Sequence, residues 1–95
     1  MTLENKFQAE LIKDIKMALP GCMVLKNDPN YIQGIPDLTI LFEDRWAVLE
    51  VKKSEREPYR PNQEWYLELL GRMSYSATVY PENRDQILYE LQQLS

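Results

Sequence analysis

Histidine is missing altogether. Imidazole general-base catalysis and every zinc site with histidine ligands are thereby excluded. The single cysteine, Cys22, forms no internal disulfide and cannot build a structural zinc site. A reducing, cytoplasmic setting is the default expectation for such a chain. Long apolar runs are also missing, with no stretch of about 18 such residues to span a membrane. The opening Met1-Thr2-Leu3-Glu4-Asn5-Lys6 passes straight into an amphipathic pattern, unlike a signal peptide. Positive charge is in deficit: 11 Lys and Arg against 15 Asp and Glu leave a net charge of −4. That balance argues against simple electrostatic binding to nucleic acid. The cations are clustered, however. Lys52, Lys53, Arg56 and Arg60 place four of the 11 within nine residues.

What is present suffices for one domain over residues 1–95. Its length is at the small end of what folds alone, and the hydrophobic share of 44% is ordinary. So small a core makes a homodimer a natural expectation. With no histidine and one cysteine, a metal site must be made of oxygen ligands, which points to Mg²⁺ or Mn²⁺.

The pattern predicts a helix over Leu3 to Leu19, where Leu3, Phe7, Leu11, Ile15 and Ala18 recur at helical steps. Thr2 is its expected N-cap and Pro20-Gly21 its stop. Met23 to Lys26 reads as a short strand, followed by turn material from Asn27 through Pro36. Leu38 to Phe42 and Trp46 to Lys52 read as the two strands of a hairpin. A polar loop runs from Lys53 to Arg60. Gln63 to Met73 reads as a helix, Tyr75 to Tyr80 as a strand, and Pro81 opens a last helix carrying Ile87, Leu88, Leu91 and Leu94. The order is α-β-β-β-α-β-α, an α/β fold with no internal boundary and no repeat.

The chemistry-bearing residues flank the hairpin. Alternation along a strand puts Glu50 and Lys52 on one face, with Val51 opposite. Twelve residues separate Asp37 from Glu50, which suits two antiparallel strands joined by a tight turn. Asp37 and Glu50 then lie side by side across the ladder. Two carboxylates and a lysine on one face suit phosphodiester hydrolysis: the carboxylates hold Mg²⁺, and the Val51 carbonyl adds an oxygen. Lys52 positions the attacking water or stabilises developing charge. The plain alternative is a surface hairpin with Glu and Lys on its wet face. The buried reading of Trp46-Ala47-Val48-Leu49 counts against that alternative, because an isolated charge is expensive there.

Glu4 falls inside the apolar stripe of the first helix, where charge is unusual unless paired or ligating. A first-turn acid favoured by the helix dipole is the alternative. Gln63, at the start of the later helix with Trp65 and Tyr66, is placed to face a phosphate or water; an ordinary first-turn residue is the alternative. Lys53, Arg56, Tyr59 and Arg60 are candidate DNA-backbone contacts, or else a solvated loop.

Taken in order, these residues resemble a known family. Glu4-x-x-x-Gln8, Gly34-Ile35-Pro36-Asp37, Glu50-Val51-Lys52 and Gln63 are similar to the motifs of the virus-type replication-repair nuclease (VRR-NUC) domain. That domain is a branch of the PD-(D/E)XK superfamily, and the likeness covers nearly the whole chain. It implies a restriction-endonuclease-like αβββαβ core, here with a C-terminal helix. It implies Mg²⁺- or Mn²⁺-dependent endonuclease cleavage of DNA. Asp37 and Glu50 would be metal ligands, Lys52 the catalytic lysine, Glu4 the first-helix acid reaching the metal through water, and Gln63 the family glutamine. Members of this size resemble viral homodimers that act on branched DNA such as four-way (Holliday) junctions, in the cytoplasm of a bacterial host. Larger relatives carry the domain in DNA repair nucleases that act on flaps. Cleavage of flaps, single strands or duplex ends, or an inactive interaction module of the same fold, are the competing expectations.

Overall fold

The computed structural model describes residues 2–95. Helix α1 (Leu3–Ala18) starts where the Thr2 hydroxyl accepts the Asn5 N–H at 3.0 Å. It ends one residue earlier than its apolar pattern, although the Leu19 N–H still donates to the Ile15 carbonyl at 2.9 Å. Gly21, at φ 89°, then turns the chain through a left-handed conformation.

Strands β1 (Met23–Lys26), β2 (Leu38–Phe42) and β3 (Arg45–Val51) form an antiparallel meander. Helix α2 (Gln63–Met73) crosses over to β4 (Tyr75–Val79), which runs parallel to β3. The last helix differs from expectation at its start. Pro81–Asn83 form one 3-10 turn, and only then does α3 (Arg84–Leu94) begin. Proline at the first position suits a tight opening turn. The Asn83 side chain also fastens it, accepting the Tyr80 N–H at 2.8 Å and donating to the Thr78 carbonyl at 3.0 Å. The result is a mixed α/β fold: one four-stranded mixed sheet in the order β1-β2-β3-β4, with helices at both ends of the chain. Among the described residues no helix is long and apolar enough to cross a membrane.

Period-two alternation sends the two faces of the sheet to different partners. Leu38, Ile40 and Phe42 of β2, Ala47, Leu49 and Val51 of β3, and Val79 of β4 point one way. There they meet Phe7, Leu11 and Ile15 of α1 and Ile87 and Leu91 of α3. Each such side chain, fully buried, contributes about 1.5–3 kcal/mol. The opposite face carries Val48, Glu50 and Lys52 and lies under α2. Helix α2 covers it loosely. The Ser76 hydroxyl donates to the Leu67 carbonyl at 2.5 Å, but Trp65 and Met73 remain 59% and 62% exposed. The apolar spacing of Trp65, Leu69 and Met73 therefore does not mark a sealed core. Only Gln63 of this helix is buried.

Candidate active site

The β2–β3 register pairs Leu38 with Leu49. Carried one step further, it sets Asp37 opposite Glu50. Three contacts fix Asp37 there. Its carbonyl accepts the Asn27 N–H at 2.8 Å. The preceding Pro36 carbonyl accepts the Asn27 side chain at 2.8 Å. Its own Oδ2 accepts the Val51 N–H at 2.8 Å. Asn27, read from the sequence as turn material, is thus the peg that holds the Pro36-Asp37 step.

Glu50 and Lys52 are each only 2% exposed. Gln63 joins them from the first turn of α2. Its Nε2 donates to Glu50 Oε2 at 2.9 Å, while its Oε1 accepts from Lys52 Nζ at 2.9 Å and from the Arg60 N–H at 2.7 Å. The amide orients these two charged groups while Gln63 also lines the cavity above them. Lys52 Nζ also donates to the Pro58 carbonyl at 3.3 Å and lies 3.5 Å from Glu50 Oε2 and 3.6 Å from Glu57 Oε2.

A cavity of about 220 Å³ opens above this network, lined among others by Glu4, Asp37, Glu50, Lys52, Glu57 and Gln63. The five side chains singled out for chemistry in the sequence therefore meet at one place. Gly34 makes this possible. At φ 91°, a Cβ there would stand 2.6 Å from Asn62 Cβ and 2.8 Å from the Pro61 carbonyl. Only glycine lets the loop before Asp37 close onto the start of α2. Asn62 is itself left-handed, at φ 72°.

The electrostatics are those of crowded carboxyls. Burial, then the neighbouring Asp37, pushes Glu50 up to about 8, against the partial relief of Lys52. Burial also raises Asp37, opposed by the Val51 N–H, Glu50 and Lys52. Burial and Glu57 raise Glu4. Glu50 Oε1 is buried without a hydrogen-bond partner. A proton on Glu50 would give that oxygen one, shared with Asp37; so would a cation. The orphaned oxygen and the strained pair fit a divalent ion with oxygen ligands. Two carboxylates are the protein's own contribution, since no group of three His, Cys, Asp or Glu suited to a metal is found among the described residues. Val51 brings its backbone to the same point, with its side chain turned into the core.

The candidate backbone contacts divide. Arg60 lines the central cavity, and Lys53 lines the adjoining one beside Glu4 and Glu57. The Tyr59 ring sits 5.6 Å from Lys52 Nζ, and its hydroxyl pairs with Thr78 Oγ1 at 2.5 Å. Arg56 is exposed and lines none of these cavities. Glu57 was invisible in the sequence. It stands in a loop of mixed charge with no periodicity, and only the path of that loop brings it onto Lys52.

Compared with models of protein families the chain matches none, and no curated protein matches it either.

Proposed function

We propose that this protein is a metal-dependent DNA endonuclease that hydrolyses phosphodiester bonds at the Asp37–Glu50–Lys52 cavity. The observation that carries this reading is the cluster itself: half-buried Asp37 beside buried Glu50 with its orphaned oxygen, and a buried Lys52 that Gln63 ties to Glu50. A protein selected for stability alone would fill such a place with apolar side chains. The resemblance to the VRR-NUC branch of the PD-(D/E)XK superfamily, and with it the restriction-endonuclease-like core, belongs to this proposal.

Asp37 and Glu50 would hold Mg²⁺ or Mn²⁺, with the Val51 carbonyl as a further oxygen and Glu4 acting through water. When bound, the ion neutralises charge on the scissile phosphate. Lys52 places its ammonium where negative charge grows during displacement. Gln63 keeps that ammonium and Glu50 aligned. Glu4 adds a half-buried carboxyl at the rim of the cavity. Arg60 and Lys53 offer positive charge to the flanking backbone.

The substrate is branched DNA such as a four-way junction, cut by a homodimer whose two-fold axis relates two cavities. This part rests on the resemblance. One feature of the surface suits it: Met23, Leu25 and Leu41 lie exposed on the sheet face away from α1, the face that also bears the exposed Trp65 and Met73. The test is cleavage of a labelled four-way junction, a flap and a linear duplex, each with Mg²⁺, Mn²⁺ or EDTA. Metal-dependent symmetric cuts in the junction alone are expected. Cuts in the flap or duplex instead would keep the chemistry and remove the junction role. No cleavage of any substrate would favour an inactive interaction module.

A further inference from the structure

The surroundings of Glu57 are those of an anion site. One carboxylate oxygen accepts the Lys53 backbone N–H at 2.9 Å. The other faces Lys52 Nζ at 3.6 Å. Arg60 lines the same cavities as Glu57 on two sides. An ammonium and a backbone N–H meeting one pair of oxygens, with an arginine lining the same cavity, is how proteins hold phosphate. Here the chain supplies the anion itself, from a loop without helix or strand. Burial favours protonation of Glu57, but the hydrogen bonds from Lys53 and Glu4, together with Lys52, bring its carboxyl below the usual range.

Lys52 explains why the position is filled. It is buried, it donates to Gln63 and to the Pro58 carbonyl, and it faces the two glutamates at 3.5 and 3.6 Å. In this arrangement its ammonium is turned to the chain's own acceptors. Gln63 and Glu50 are held by the helix and the sheet. Glu57 is the partner at the longest distance and on the least constrained segment. It is the one that can leave at least cost.

We propose that the place occupied by the Glu57 carboxylate is a binding subsite for a phosphate oxyanion of the nucleic-acid backbone, filled by the chain's own glutamate until substrate arrives. An incoming phosphate takes over Lys52 Nζ and the Lys53 N–H, and Glu57 moves out with its loop. Glu4, which lines the same cavities as Glu57, loses that neighbouring carboxylate in the same event. The identity of the phosphate's carrier rests on the nuclease reading; the site itself does not.

The experiment therefore uses inorganic phosphate in EDTA, where no cleavage contributes. Phosphate is titrated into native protein, Glu57→Gln and Glu55→Gln while the Lys53 amide is followed by NMR. Glu55→Gln removes the same charge from the same loop, at a residue that makes no contact with Lys52 among the ion pairs described. Glu57→Gln is expected to bind phosphate about tenfold more tightly than native, roughly 1.4 kcal/mol, with the Lys53 amide shifting most. Glu55→Gln is expected to stay within about twofold of native. A second variant, Lys52→Met with Glu57→Gln, should lose the gain. Should that buried change prevent folding, the Lys53 shift in Glu57→Gln alone still decides. Equal binding by the two single variants, or phosphate binding that leaves the Lys53 amide unmoved, would overturn the proposal.

Discussion

The two faces of the sheet are built to opposite rules. Beneath α1 and α3, residues such as Leu11, Ile15, Leu38, Ile40 and Leu49 are wholly buried and apolar. Beneath α2, the buried residues include Glu50, Lys52 and Gln63, while the helix above leaves Trp65 and Met73 in solvent. The same strand, β3, serves both: Ala47, Leu49 and Val51 belong to the first face, Val48 and Glu50 to the second, with Lys52 just past its end. Stability is concentrated on one side of a single strand and chemistry on the other. A buried charge network needs a backbone that does not yield, and the apolar face supplies it.

The largest expected effect is on the polar face and on activity. Asp37→Ala should reduce cleavage at least about a thousandfold, measured on any DNA substrate the native protein cuts. Lys52→Ala should do the same and, unlike Asp37→Ala, should also cost roughly 3–5 kcal/mol in urea unfolding at about pH 9, where the ionised Glu50 is left buried without its cation. Cleavage by either variant near the native rate would break the assignment of the site.

Next comes the apolar face. Leu11→Ala should lose about 2–5 kcal/mol of stability. Trp65→Ala and Met73→Ala, on the loosely covered side, should each stay within about 0.5 kcal/mol of native in the monomer. Comparable losses for all three would erase the distinction between the faces.

The pH dependence sharpens it further. Metal-free protein carries Glu50 raised to about 8, against 4.5 for an ordinary glutamate. The folded state therefore keeps a proton that the unfolded chain has lost, and stability is full below about 4.5 and falls as pH rises through about 8. A loss on the order of 5 kcal/mol across that window is expected in EDTA. Asp37→Asn, which removes the repelling charge and keeps an acceptor for the Val51 N–H, should raise the melting temperature at pH 8 and flatten the slope. A lower melting temperature for Asp37→Asn at pH 8 in EDTA would count against the crowded pair.

The smallest effect lies at the rim of the apolar face. Hydrogen bonds from Gln86 and from Tyr75, the latter at 2.6 Å, hold Glu90 below the usual carboxylate range. This contribution is present above the unfolded value near 4.5 and is lost as pH falls through the lower folded value. Glu90→Gln should abolish that acid-side slope in thermal melts and change little at neutral pH.

How legible each face was follows from how local its signals are. Strands β1 and β2 and helix α2 stand where alternation, helical spacing and proline placed them; β3 lies one residue earlier than its pattern and β4 ends one residue sooner. Asp37, Glu50 and Lys52 were legible because strand pairing converts a fixed separation into a fixed geometry. The role of Gln63 was half legible. Its position followed from the helix start, but its engagement with both Glu50 and Lys52 depends on how α2 seats on the sheet. Glu57 and Asn27 were not legible at all, since loops place side chains by tertiary path and not by period. The exposure of Trp65 and Met73 was not legible either, because helical spacing states which residues share a face and not what covers it.

The chemistry proposed for the cavity requires that the Asp37–Glu50 pair hold a divalent cation. Calorimetric titration of Mn²⁺ at pH 8 into native protein, Asp37→Asn and Glu50→Gln measures this without relying on a chosen substrate. One or more ions bound by the native protein, with affinity reduced at least about tenfold in both variants, is the predicted result. No Mn²⁺ binding by the native protein, or equal binding by all three, would contradict it.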